Sequence, residues 1–163
     1  MAIPIPYSME SFQIINTMEN RINIQQLEPE AYKAMLGLEN YLATTSLTDI
    51  EKELIKIRTS QINGCAYCIE MHTKDALGYG ETHQRIFALN AWWESPLFDE
   101  KEKVLLKMTE EITHIQQKGL TEDTYTAAQK HFTGNEIAQI IMQIGTINLW
   151  NRIGISTHLK HEN

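Results

Sequence analysis

Apolar residues recur at three- and four-residue spacing along most of this chain, and strict alternation of apolar and polar residues is almost absent. The first pattern paints one face of a helix and the second paints a strand, so the chain is expected to be all-α. Start and stop signals divide it. Pro29 sits where a first-turn proline belongs, ahead of Ala31, Met35, Leu38 and Leu42. Thr48 and Glu51 form a capping box, and the helix they open carries Ile50, Leu54 and Ile57 to a stop at Asn63-Gly64. A third helix is expected from about Cys65 to Leu77, and a fourth from about Thr82 through Trp93, stopping before Pro96. Asp99 and Glu102 box a fifth, with Leu105, Met108, Ile112 and Ile115 as its stripe and Gly119 as its end. Thr121 opens a short sixth helix, and Thr133 to Glu136 opens a long Ile-rich seventh. Residues 1–26, with Pro4 and Pro6, are expected to form an arm that is extended over Arg21 to Gln26 and packs on the domain or on a neighbouring subunit. Residues 27–163 are expected to form one domain, since 163 residues with 42 % hydrophobic content suit a single core.

Charge and cysteine usage narrow the function. The net charge of −7 repels phosphate backbones, so nucleic acid is not an expected partner. No apolar run approaches the ~20 residues that span a bilayer. The start, Met1-Ala2-Ile3-Pro4, has neither a basic region nor a long apolar stretch, so the expected compartment is the cytoplasm. The 2 cysteines, Cys65 and Cys68, form a single close pair. In such a chain this spacing points to redox chemistry or metal rather than to a secreted framework.

On a helix, Cys65, Cys68 and His72 stack along one stripe, with Asp75 a turn further. Cys65 lies at the helix start, where the dipole lowers a thiol pKa, and His72 stands one turn from Cys68, where it can share a proton. These are the parts of a two-cysteine redox centre. A structural zinc site would need a fourth ligand beyond these three. Covalent haem would need His where Ile69 stands. Two inert buried cysteines are a third possibility. A thioredoxin-like fold would place the pair after a strand, whereas here helix flanks it on both sides.

Glu53 stands between Ile50 and Ile57 on its helix, which places it at the border of the buried face. It is either a surface glutamate or a relay carboxyl whose pKa burial raises. A weak internal repeat bears on this. The seven residues from Glu51 to Ile57 match those from Glu102 to Met108, with Val104 in the place of Glu53. Trp92, Trp93 and Trp150, with the Ile-rich last helix, offer more apolar surface than short helices bury alone, so a homo-oligomer is expected.

Glu53, Cys65, Cys68 and His72, set in Ser60-Gln61-Ile62-Asn63-Gly64-Cys65-Ala66-Tyr67-Cys68-Ile69-Glu70-Met71-His72, resemble the signature of the alkyl hydroperoxidase D (AhpD) family within the carboxymuconolactone decarboxylase superfamily. The tail Asn148-Leu149-Trp150-Asn151-Arg152 is also similar, and the likeness runs from about Arg21 onward. The resemblance implies an AhpD-like all-helical fold of repeated hairpins, about seven helices here, assembled as trimers or hexamers. It implies a thiol-dependent peroxidase that reduces hydroperoxides or relays electrons from a dithiol or lipoyl-type donor protein. It implies Cys68 as the peroxidatic thiol, Cys65 as proton donor and resolving thiol, and His72 with Glu53 as the proton relay. No cofactor or metal is implied. A decarboxylase-type enzyme and a non-enzymatic redox sensor or scaffold are the alternatives.

Overall fold

Two helices that run side by side in the same direction make the centre of the molecule. A computed structural model describes residues 21–160. The first central helix, here α3, spans Asp49–Asn63, and the second, α6, spans Glu100–Thr113. An ion pair from Lys101 to Glu51 (2.7 Å) ties their starts, and the hydroxyls of Thr59 and Thr113 meet at 3.4 Å near their ends. Both open with the expected capping boxes, Thr48 with Glu51 and Asp99 with Glu102.

The core lies on the two sides of this pair. On one side Ile55 of α3 and Leu105 and Met108 of α6 pack against Ile137, Ile140, Ile144 and Ile147. The four isoleucines belong to α8, Gly134–Thr157, which follows the short α7, Glu122–Ala128. On the other side Leu54 and Ile57 of α3 and Leu106 of α6 pack against Ala76, Ile86, Leu89 and Trp92. Ala76 belongs to α4, Ala66–Gly78, and Ile86 to α5, His83–Ala88. The repeat gains physical content here. Leu54 and Leu105, Ile55 and Leu106, and Ile57 and Met108 are matched positions, and each pair splits between opposite sides. Two related helices around a twofold parallel to their axes would do this.

Eight α-helices and one 3-10 turn, with no strand, occur among the described residues. The all-α expectation holds, and the expected count of about seven is short by one. The addition is α1, Ile24–Leu27, in the segment expected to be extended; the Asn23 side chain caps it by accepting from the Gln26 N–H. It leads into α2, Pro29–Ala43, which has the expected proline at its first turn. The Arg21 N–H donates to the Thr157 carbonyl at 3.1 Å, so this end of the expected arm lies on α8. Residues 1–20, the rest of that arm, lie outside the described residues.

Two other expectations are corrected. The helix expected from Thr82 through Trp93 ends as α5 at Ala88 and passes into the 3-10 turn Leu89–Ala91. Asn90 accepts from Arg58 (2.8 Å) and the Trp92 indole donates to Glu110 (2.7 Å), so partners on α3 and α6 set the backbone path. Helix α6 stops at Thr113 rather than running to Gly119, and Ile115 is left 62 % exposed.

Candidate functional site

The turn between α3 and α4 delivers both cysteines. Gly64 takes a left-handed φ of +73°, which glycine adopts at no steric cost. The Cys65 N–H then returns to the Ser60 carbonyl at 3.0 Å. Cys65 is the N-cap of α4 and Cys68 lies in its first turn, with Cα atoms 5.3 Å apart and the two sulfurs joined as a disulfide. A residue at the cap and another three on face each other, so the spacing alone brings the sulfurs together. Because both sit in the first turn, the helix dipole acts on both and does not choose between them.

A partly buried polar network fixes this turn from outside. Asn63 donates to the side-chain oxygens of Asn148 and Asn151 (both 2.9 Å), and Asn151 donates to the Ser60 hydroxyl at 2.9 Å. The end of α3 is thereby tied to α8. Gly154 lies a turn further along α8, where a Cβ would come within 3.4 Å of Cys65 Sγ and 3.8 Å of Cys68 Sγ. Glycine lets α8 lie directly over the sulfur pair.

His72 and Glu53 meet across the α3–α4 interface. Nδ1 of His72 lies 2.9 Å from Oε2 of Glu53, and Nζ of Lys56 lies 2.7 Å from Oε1. All three are shielded: Glu53 is 3 % and His72 7 % exposed, and the Lys56 side chain 15 %. Burial pushes the Glu53 carboxyl up and is the largest single influence on it. The hydrogen bond to His72 and the charge of Lys56 act the other way and outweigh burial together, so the carboxyl lies below its ordinary value of 4.5. Of the two readings left open by the sequence, the surface glutamate is excluded by this burial, and the relay carboxyl is corrected in that its pKa is lowered and not raised. Being ionised, Glu53 can only accept, so Nδ1 of His72 carries the proton, and Nε2 is the nitrogen left to accept or give a second one.

A cleft of about 910 Å³ reaches this site, and Tyr67, Cys68, Met71, His72, Trp150 and Gly154 are among the residues that line it. Cys68 belongs to the lining, whereas Cys65 does not. Both cysteines are otherwise buried, at 2 and 3 % exposure, so the cleft gives Cys68 its approach from solvent. The Trp150 wall is held by a bond from its indole to Glu39 (2.7 Å) and by the edge of Tyr32, with ring centres 5.5 Å apart.

Glu53, His72 and Asp75 bring one ligand atom each within 4.8 Å of one another. A metal fits poorly there. The Lys56 ammonium occupies the other oxygen of Glu53, His72 Nδ1 is already bonded to that carboxylate, and Asp75 is half exposed. Joined sulfurs offer no thiolate ligand either.

The structure thus brings together the four residues singled out in the sequence. It adds three that the sequence reading did not single out. Lys56 had a signal in its i+3 spacing from Glu53. Asn151 had none beyond its place in the tail and Gly154 had none, because their partners lie on other helices.

The all-helical scaffold is AhpD-like. A family model described as the carboxymuconolactone decarboxylase family matches residues 29–111. An uncharacterized protein of Bacillus subtilis (strain 168), YdfG, is 40 % identical over 139 residues, which is 85 % of this chain and 95 % of that one. The crystal structure of ATU0492 from Agrobacterium tumefaciens superposes with a TM-score of 0.85 at 39 % identity, covering 89 % of this chain and 99 % of that one. ATU0492 is a protein of unknown function whose name suggests the antioxidant defence protein AhpD. An uncharacterized peroxidase-related protein with an alkylhydroperoxidase AhpD core, from Ralstonia eutropha JMP134, gives 0.75 at 18 % identity over 85 % of this chain and 74 % of that one, a likeness of fold. The chain belongs to the carboxymuconolactone decarboxylase family, and its relatives of solved structure include AhpD-like proteins.

Proposed function

We propose that this protein is a thiol-dependent peroxidase that cycles Cys65 and Cys68 between dithiol and disulfide. The observation that carries the reading is that Cys68 and His72 line one cleft while Cys65, bonded to Cys68, stands outside it. The thiol that meets a solute is then Cys68, and the thiol that closes the cycle is Cys65.

In the reduced protein, His72 accepts the Cys68 proton, and Glu53 holds the resulting imidazolium through Nδ1. The Cys68 thiolate attacks the terminal oxygen of a hydroperoxide. An S–O bond forms, the O–O bond breaks, and the leaving alkoxide takes the proton from His72, giving an alcohol and a sulfenic acid. The Cys65 thiol then attacks the sulfenic sulfur, the disulfide forms and water leaves. A dithiol donor, free or lipoyl-type on a partner protein, reduces the disulfide and is itself oxidised to a disulfide. Cys68 and Cys65 carry out the chemistry, and His72 and Glu53 relay the proton.

The same reading takes the protein as a cytoplasmic homo-oligomer, a trimer or hexamer. No helix among the described residues is long and apolar enough to cross a membrane. Phe87, Trp93 and Tyr79 are 77, 56 and 55 % exposed, which favours an assembled form.

Steady-state consumption of cumene hydroperoxide with dihydrolipoamide as donor tests the proposal. Turnover that Cys68→Ser abolishes supports it. A disulfide that forms with peroxide but is not turned over would assign the pair to sensing. Full turnover in Cys68→Ser would contradict the role of that thiol.

A further inference from the structure

We propose that Lys56 is a positioning residue for the thiol chemistry, holding Glu53 as the acceptor that fixes the tautomer of His72. The inference rests on the peroxidase reading for what the tautomer serves, but its geometry stands apart from that reading.

The two oxygens of Glu53 are divided: Oε2 takes His72 Nδ1 and Oε1 takes Lys56 Nζ. At 3 % exposure this carboxylate has lost nearly all its hydration. A buried carboxylate that lacks compensation takes up a proton instead. Against that burial stand the hydrogen bond to His72 and the charge of Lys56, whose ammonium lies 2.7 Å from Oε1. Asp75, the other ionisable group facing His72 from α4, lies 3.9 Å from Nδ1 and adds negative charge, which opposes ionisation of Glu53. Across from α3, Glu110 of α6 is paired with Arg58 and Lys107 lies by Glu111, while Arg152 of α8 is turned to Asn148. Among these lysines and arginines, Lys56 is therefore the one that serves Glu53.

The internal repeat supplies a control. Lys107 holds the position in α6 that Lys56 holds in α3, and its side chain is 53 % exposed against 15 %. Val104 stands there in place of Glu53. The burial of Lys56 accompanies its carboxylate and is not set by its place on an amphipathic helix.

Were Lys56 neutral, less would offset burial and Glu53 would take up its proton at a higher pH. A protonated carboxyl can donate to His72 Nδ1, which moves the ring proton to Nε2 and removes the base from that nitrogen. The test uses the reduced full-length chain and the variants Lys56→Met, Lys56→Gln and Lys56→Arg. The first readout is the pH dependence of the rate at which Cys68 reacts with cumene hydroperoxide. Loss of the charge is expected to move the acidic limb up by about one pH unit, with Lys56→Arg staying on the wild-type curve. Glu53→Gln combined with Lys56→Met should show no further shift, because Lys56 acts through Glu53. The second readout is 15N NMR of His72, with the proton on Nδ1 in wild type and in Lys56→Arg, and shared with Nε2 in Lys56→Met or Lys56→Gln. An unmoved limb together with an unmoved tautomer overturns the proposal, as does failure of arginine to restore both. If the wild type consumes no hydroperoxide yet the tautomer moves with Lys56, the peroxidase reading fails and the role of Lys56 stands.

Discussion

Nδ1 of His72 on α4 lies 2.9 Å from Oε2 of Glu53 on α3, a contact between residues 19 apart in the chain. It joins the helix that carries the cysteines to the central helix and fixes which nitrogen of the ring is basic. The proposed mechanism needs both effects. Glu53→Gln removes the charge and keeps the shape. It is expected to slow the reaction of Cys68 with hydroperoxide by about 10²-fold, the size typical of a lost acid–base group. Stopped-flow measurement, with far-UV circular dichroism as a check of the fold, would show it. A rate within twofold of wild type would reduce the pair to a structural contact.

The same carboxyl makes stability depend on acid. Glu53 and Glu111 both lie below the ordinary value of 4.5: burial raises each, and hydrogen bonds and lysine charge outweigh it. A folded-state pKa below the unfolded one adds stability above the unfolded value, and that stability is lost as pH falls through the folded value. The urea midpoint should therefore be flat above about pH 5 and fall below about pH 4.5. Glu111→Gln should flatten part of that fall. Urea titrations from acid to neutral pH measure both.

Asn151 is fully buried and joins Asn63 to Ser60, so it holds the turn that presents Cys65. Asn151→Ala would leave the buried Ser60 hydroxyl without its donor and take one of two acceptors from the partly buried Asn63 amide. A loss of about 2–3 kcal/mol is expected, read as a lower urea midpoint at unchanged slope.

Much of this was legible in the sequence for one physical reason: caps and helical spacing are local. The boxes at Thr48–Glu51, Asp99–Glu102 and Thr133–Glu136, the left-handed stop at Gly64 and the stacking of Cys65, Cys68 and His72 need only neighbours in the chain. Glu53 was visible because Ile50 and Ile57 flank it. What failed depended on distant partners. Trp92 bonds to Glu110 and Asn90 to Arg58, so the chain leaves its helix at Ala88 despite a suitable pattern. The Glu53 carboxyl moves down because of His72 and Lys56 together, and no pattern along the chain weighs those against burial. Gly154 reads as an ordinary helix glycine until α8 is laid over the sulfurs.

The exposed aromatic residues carry a prediction of their own. Phe87 is 77 % and Trp93 56 % exposed, on the chain between α4 and α6. Light scattering is expected to give a mass of several chains, and Phe87→Glu with Trp93→Glu should lower it. A wild-type mass of one chain would assign those side chains to an open monomer surface.

The central claim is that Cys68 meets the peroxide and Cys65 resolves it. Cys65→Ser, treated with one equivalent of hydroperoxide and then a dimedone-type probe, tests it most directly. Mass spectrometry should place the tag on Cys68, while Cys68→Ser treated in the same way should react slowly and carry no tag. A tag on Cys65 in Cys68→Ser, with fast peroxide consumption retained, would contradict the assignment and exchange the roles of the two thiols.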